Sequence, residues 1–298
     1  MAIHYRAAQA ADLEPAQALV VASINELSNR HGFGAIASLR PPQFQAFCLR
    51  EQPGLLWVAE QDGEMLGYAF AWACGELRFL AELFVAPGRQ GAGIGRELLG
   101  RTIPPARKGG AAVNALITFA FNAASQGLYM RHGMFPKLPL YFVSASRQTL
   151  QARLQAPPAT PPALTLADLP KLAEIDHQAL GVVRTEHHRF LLADPAMRGV
   201  LLRAGGERIG YAYLSADGHI GPLAVTKPQA MGPALQAMLA MALDGNATNI
   251  SAFLPAAGDA ALGVAAAQGM RITLPMMLMA SRDFGDWRCY LPRNPLMM

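Results

Sequence analysis

The chain has 298 residues, more than one compact domain usually needs, and 52% of them are hydrophobic against 15% charged; two cores are the default arrangement, and a disordered chain is excluded. The formal net charge is +4, spread over both halves with no basic stripe, so nucleic acid is not an expected partner. Cys48, Cys74 and Cys289 are odd in number and far apart with no CxxC pair, which argues against a disulfide framework or a zinc site and for a reduced, cytoplasmic protein.

The first residues, MAIHYRAAQAADLEPAQ, lack the basic-then-apolar pattern of a secretory signal, and no run of 18 apolar residues suits a membrane span, so no membrane is expected. A strand is predicted over Ile3–Ala7 and a helix from Ala11, with Asp12 and Glu14 in its first turn. A second helix runs from about Pro42 to Arg50. Leu55–Glu60 and Met65–Ala73 read as a hairpin about the turn Asp62-Gly63, followed by a strand over Glu76–Val85. A glycine-rich turn leads to a helix from Gly93, which Pro104-Pro105 keeps short; the stretch ARKGGAA after it reads as a solvent-facing excursion. A strand at Ala115–Phe121, a helix at Ala123–His132 and a strand at Leu140–Ser144 close the first half, an α/β or α+β plan with a mostly antiparallel start.

A polar helical run, Arg147–Gln155, then precedes APPATPP at 156–162, whose four prolines in seven residues forbid a helix interior. This is the expected linker, 148–163, between domains at 1–147 and 164–298. Weak patterns recur in order on both sides of it: Ala11-Asp12-Leu13 and Ala167-Asp168-Leu169, Leu66-Gly67-Tyr68-Ala69-Phe70 and Ile209-Gly210-Tyr211-Ala212-Tyr213, Leu83-Phe84-Val85 and Leu223-Ala224-Val225, Gly133-Met134 and Gly269-Met270. None is specific alone, but four in sequence argue for a tandem duplication of one fold. Ile272–Ala280, among the longest apolar runs, reads as a buried strand.

The segment with chemical content is LAELFVAPGRQGAGIGRELL, Leu80–Leu99. Glycines at 88, 91, 93 and 95 allow a tight turn off a strand into a helix with its amides uncovered, where a phosphate can approach the backbone and meet the positive end of the helix dipole. A P-loop would end Gly-Lys-Ser/Thr, whereas here Gly95-Arg96-Glu97 follows; a dinucleotide fingerprint would read GxGxxG after the first strand, whereas here GxGxG follows a later one. The loop Gln90-Gly91-Ala92-Gly93-Ile94-Gly95, after Val85-Ala86-Pro87, resembles instead the acetyl-CoA loop of the GNAT superfamily of N-acetyltransferases, Gln/Arg-x-x-Gly-x-Gly/Ala. Asn122–Phe135, NAASQGLYMRHGMF, is similar to that family's Asn-x-x-Ser/Ala-x-x-Leu-Tyr-x-x-x-Gly-Phe pattern, with Gly133-Met134 in place of Gly-Phe.

The resemblance implies two tandem GNAT-like folds, each a mixed, largely antiparallel sheet flanked by helices, and direct attack of an amine on the thioester of acetyl-CoA. A base must then deprotonate the amine and an acid protonate the leaving thiolate. Glu82, three residues before Val85 on the strand that opens beside the thioester in the family, is the candidate base; strand alternation puts it on one face with Phe84, and Leu83 and Val85 on the other. The alternatives are an ordinary strand carboxylate or a relay through water. Tyr129 of the LYxxxG pattern is the candidate acid, or else a packed core tyrosine. Asn122, with Ser125, is expected beside the pantetheine arm, though an Asn there equally suits a helix N-cap. The resemblance further places the backbone of Leu83, Phe84 and Val85 against pantetheine as an added strand, and Gln90, Gly91, Ala92, Gly93, Ile94, Gly95 and the adjacent Arg96 against the phosphates. Arg89 and Arg131 are weaker candidates. His132 and His187-His188 lack partners at ligand spacing and read as structural or exposed, so no metal is expected.

In the second half the alignment puts Ala230, Met231, Pro233 and Leu235 where Gln90, Gly91, Gly93 and Gly95 stand, and Gly258 and Ala265 at the places of Asn122 and Tyr129. Proline has no amide to offer, so this copy is expected to be degenerate, shaping the acceptor cleft; Asp176, Gly181 and Arg184 fall in a helical region comparable to that of two-domain GNAT proteins. The expected activity is N-acetylation of a primary amine, carried by a small molecule or a peptide, with Asn25, Glu26 and the Met65–Glu76 hairpin facing it. The alternative is a non-catalytic CoA or acyl-CoA sensor or scaffold. Acceptor identity and oligomeric state stay open.

Overall fold

A computed structural model of the chain describes residues 2–104, 112–154, 161–204 and 206–298. Most of the expected ARKGGAA excursion, Pro105 before it, and most of the APPATPP linker lie outside the described residues. Two compact units are present: Met1–Phe135 with Met279–Arg282, and Pro136–Leu278 with Asp283–Met298.

In the first unit β1 (His4–Ala7), β2 (Leu56–Gln61), β3 (Glu64–Cys74), β4 (Leu77–Val85) and β5 (Val113–Phe119) lie side by side in that order. The β2–β3 turn has Asp62 and Gly63 at φ 53° and 81°, the left-handed pair that a tight hairpin needs. Helix α1 (Leu13–Arg30) begins with a short 3-10 turn at Ala10–Asp12, and α2 (Gln43–Glu51) follows. Helix α3 (Ile94–Thr102) packs Ile94 and Leu98 on Ala59, Leu66 and Ala69. That contact needs Gly67: a Cβ there would stand 2.9 Å from Leu98 Cδ1. Helix α4 (Ala123–Arg131) follows β5. Ser281 belongs to this unit, where its N–H donates to Asn114 O and its Oγ accepts from Asn114 N.

Apart from Phe135 at the start of β6 and the last two residues of β11, the second unit repeats the plan with β6 (Phe135–Ser146), α5 (Arg147–Gln151), α6 (Leu169–Leu180), α7 (Thr185–Ala193), β7 (Met197–Ala204), β8 (Glu207–Ser215), β9 (His219–Val225), α8 (Met231–Ala242), β10 (Asn249–Pro255), α9 (Asp259–Ala267), β11 (Arg271–Ala280) and β12 (Tyr290–Leu291). The division therefore falls at Phe135/Pro136, ahead of the prolines expected to mark it. The cause is pairing: β6 runs antiparallel to β10 from Leu140↔Pro255 to Ser146↔Asn249, which ties it to the second unit. The expected buried strand at Ile272–Ala280 is a strand, but only its latter part is buried; Ile272 is 57% exposed.

At the heart of the second unit Asp176 of α6 is fully buried with Arg184, which donates from Nε to Oδ2 (3.0 Å) and from Nη2 to Oδ1 (3.1 Å). Tyr211 Oη also donates to Oδ1, and His188 bridges Tyr213 Oη and Oδ2. Burial alone would raise the Asp176 carboxyl, but the charges of Arg184 and His188 outweigh it and hold the group well below the usual carboxylate range. His187 and His188 are thus buried and structural rather than exposed.

Candidate active site

The first sheet opens along β4. This strand pairs antiparallel with β3 as far as Gly67↔Val85, but in parallel with β5 only from Leu77↔Val113 to Leu80↔Leu116. Phe70 faces Glu82 while Ala71 faces Leu80, so Ala81 is the extra residue of a bulge, which bends the strand that carries it. Past the bulge Leu83–Val85 keep one edge without a strand partner among the described residues.

The strand then enters the glycine turn. Gly88, Gly91 and Gly93 stand at φ 82°, 82° and 84°, and a Cβ at any of them would meet nothing within 4 Å, so backbone conformation rather than room demands glycine. Gly93 is the N-cap of α3 with no side chain bonded to the helix start, which leaves its first amides for a ligand. A cavity of ≈ 500 Å³ lies over this turn and the free edge of β4. Arg30, Arg89, Arg96 and Arg131 border it and no acidic residue does, a setting suited to a polyphosphate.

Of the expected cofactor residues, Leu83, Phe84, Val85, Gln90, Gly91, Gly93, Ile94, Gly95, Arg96, Asn122 and Ser125 all border this cavity. Ala92 lies in the exposed turn between them and off the wall, and Tyr129, expected beside the cofactor as well as in the acid role, is buried behind it. Asn122 is the N-cap of α4, its Oδ1 accepting from Ser125 N at 3.2 Å, so the capping role is realised. Sequence reasoning missed Ser23, Leu27 and Arg30 of α1, although their spacing of four and three residues puts them on one helical face. Asn25 holds the loop after α1 instead of facing outward: its amide accepts from Ile36 N and Ala37 N and donates to Ala37 O. Glu26 pairs with Arg30 at 3.3 Å.

The two acid–base candidates stand off the cavity wall. Glu82 is 9% exposed, and burial pushes its carboxyl up to about 7 against the opposing hydrogen bonds of Gln45. Gln45 Nε2 donates to both carboxylate oxygens, at 3.4 Å and 3.2 Å. Phe44, beside Gln45 on α2, meets Phe70 edge-on at 5.8 Å, so α2 covers the face of the sheet that carries Glu82. A carboxyl that titrates near neutrality can take a proton at physiological pH. Tyr129 is buried, and burial holds its hydroxyl well above the ordinary value against a hydrogen bond with Ser125, so it keeps its proton at neutral pH. Ser125, which bonds that hydroxyl, itself borders the cavity.

The corresponding place in the second unit is built differently. After β9 come a 3-10 turn at Pro228–Ala230 and α8 with Pro233 in its first turn, and no glycine there has a positive φ. Strand β9 pairs in parallel with β10 at Ser251↔His219 and Ala252↔Ile220, and beyond them its edge is taken by β12, with Leu291↔Leu223 and Tyr290↔Ala224. Among the described residues no cluster of three or more His, Cys, Asp or Glu could hold a metal ion, and no helix is long and apolar enough to cross a membrane.

Residues 21–134 match the model of the acetyltransferase (GNAT) family. No curated protein matches the chain. Among solved structures, a candidate acetyltransferase from Pyrococcus horikoshii superposes with a TM-score of 0.74 at 17% identity, over 99% of this chain and 96% of that one. A GCN5-related N-acetyltransferase from Sphaerobacter thermophilus gives 0.61 at 18%, over 96% and 98%, and a tandem GNAT protein from the clavulanic acid biosynthesis pathway gives 0.61 at 15%, over 95% and 99%. At these identities the likeness is one of fold, and it runs through both units. The glycine turn and the opened strand both fall within residues 21–134, the stretch that is similar to the acetyltransferase (GNAT) family model.

Proposed function

We propose that the chain is an acetyl-CoA-dependent N-acetyltransferase acting on a primary amine by direct transfer, with the chemistry in the first unit. The observation that carries this reading is the free edge of Leu83–Val85 running into three left-handed glycines, against an edge covered by the chain's own β12 in the second unit. Bound acetyl-CoA supplies a thioester carbonyl at which an N–C bond forms as the C–S bond breaks. The amides at the head of α3 and the surrounding arginines hold the phosphates. The edge of β4 pairs with the pantetheine amides as an added strand. Glu82 takes the proton that the amine must lose, and Tyr129, through the Ser125 hydroxyl, returns one to the departing sulfur.

Thermal unfolding with and without acetyl-CoA tests the cofactor. A rise in melting temperature is expected, and Gly93→Val should abolish it, since a β-branched residue at φ 84° is strained by about 1–3 kcal/mol. An unchanged wild-type melting temperature overturns the reading. A CoA-release screen over amino acids, polyamines, aminoglycosides and peptide N-termini then identifies the amine.

A further inference from the structure

Tyr68 of β3 is fully buried, yet its hydroxyl has no hydrogen-bond partner among the described residues. Its strand position fixes the direction of the side chain: Tyr68 and Phe70 share one face of β3, and Phe70 lies opposite Glu82 in register. Glu82 is near enough that its charge adds to burial in pushing the tyrosine hydroxyl upward. On the same face Gln45, 4% exposed, donates to both oxygens of Glu82. The repeated segment in the second unit shows what a tyrosine at this place does when a carboxylate is in direct reach. Tyr211, the counterpart of Tyr68 in Gly-Tyr-Ala, donates its hydroxyl to Asp176. A buried hydroxyl left unpaired costs about 1–3 kcal/mol, so the same residue in the first unit needs a partner of its own.

Resting on the reading of Glu82 as the base, we propose that Gln45 and Tyr68 are its positioning residues: the Gln45 amide holds the carboxylate directly, and the Tyr68 hydroxyl donates to it through one bridging water, so that the group stands fixed and ionised when the amine arrives. The other titratable groups facing this site are Cys48 of α2, whose thiol burial pushes far up and so keeps neutral, and Asp12 at the head of α1, which acts on Tyr68 more weakly than Glu82 does. Both donors favour the ionised carboxylate, so losing either raises the pH at which Glu82 gives up its proton.

The test needs no acceptor. The full chain is labelled with glutamate carrying carbon-13 at the side-chain carboxyl, and the titrating signal of Glu82 is assigned by its loss in Glu82→Gln. Gln45→Leu should move the midpoint up by about one pH unit and Tyr68→Phe by about half a unit. Tyr68→Phe keeps the ring and its packing, so this arm stands even where Gln45→Leu folds poorly. A midpoint unmoved in Tyr68→Phe overturns the role of Tyr68, and one unmoved in a folded Gln45→Leu overturns that of Gln45. Acetyl-CoA added to the same samples separates the two levels: a wild type that titrates as described but shows no acetyl-CoA shift defeats the cofactor reading and leaves the donor set in place.

Discussion

The two units solve the same problem of sheet geometry in opposite ways. Each has a strand that leaves its parallel neighbour after a few pairs, β4 from β5 beyond Leu80 and β9 from β10 beyond Ile220. In the second unit the exposed edge at Leu223–Ala224 is closed by β12, and Val225 N donates to Cys289 O at 2.9 Å just before that strand. In the first unit the matching edge, Leu83–Val85, borders a cavity lined with arginines. A strand edge is a row of unpaired amide groups, so in one copy the chain itself fills the place that has no strand partner among the described residues of the other. The buried polar groups follow the same division. Asp176, Arg184, His188 and Tyr211 satisfy one another, whereas Glu82 has a single direct donor and Tyr68 none among the described residues. A network whose members satisfy one another favours rigidity, whereas burial with one direct donor leaves the Glu82 carboxyl raised to about 7.

The largest effect is expected from breaking the satisfied side. Asp176→Ala leaves Arg184, 2% exposed, without its counter-charge, and removing one partner of such a pair costs about 3–5 kcal/mol. Urea unfolding measures it; a loss under about 1 kcal/mol would mean that Arg184 finds another partner and that the network is not the keystone of the second unit.

Glu82→Gln probes the other side, and the sign of its effect is opposite. The folded chain raises the Glu82 carboxyl to about 7, so stability is full below the ordinary carboxylate range and is lost as pH climbs through 7. The amide cannot ionise. The variant should match wild type near pH 4 and exceed it near pH 8 by on the order of 3 kcal/mol, while turnover falls by about a hundredfold or more. Equal stability of the two proteins near pH 8 would place the carboxyl in water and end the distinction between the units.

Phenylalanine at the paired tyrosines sharpens the contrast within one chemical change. Tyr211→Phe removes a donor from buried Asp176 and should cost about 1–3 kcal/mol. Tyr68→Phe removes a hydroxyl that no protein group receives among the described residues, and should cost less than about 1 kcal/mol. Equal losses in the two variants, read by urea unfolding, would show that the hydroxyls serve alike.

What the sequence could reveal of this contrast was local. The Asp62-Gly63 hairpin, the glycine turn and the Asn122 cap each depend on backbone preferences of a few adjacent residues, and each was legible. Gln45 was not, because it meets Glu82 across 37 positions and sits in α2 with no pattern to mark it. The membership of β6 in the second unit depends on its pairing with β10, and β12 is two residues long with no periodicity to read. Pro233 and Ala265 marked the second copy's departure from the pattern of the first, but not that the chain had closed the edge itself.

The closed edge of β9 also limits what a substitution at Pro233 can do. Proline at 233 withholds an amide in the first turn of α8, and its replacement returns that amide. With Leu223 and Ala224 already paired to β12, an added pantetheine strand would have to displace Tyr290, which is fully buried and donates its hydroxyl to Met298 O at 2.7 Å. Pro233→Gly should therefore change stability by only about 0.4–1 kcal/mol, through the freer unfolded chain. Calorimetric titration of either protein with acetyl-CoA should give one site per chain. Two sites in Pro233→Gly would show that the proline alone had silenced the second copy, and two in wild type that β12 yields its place to the cofactor.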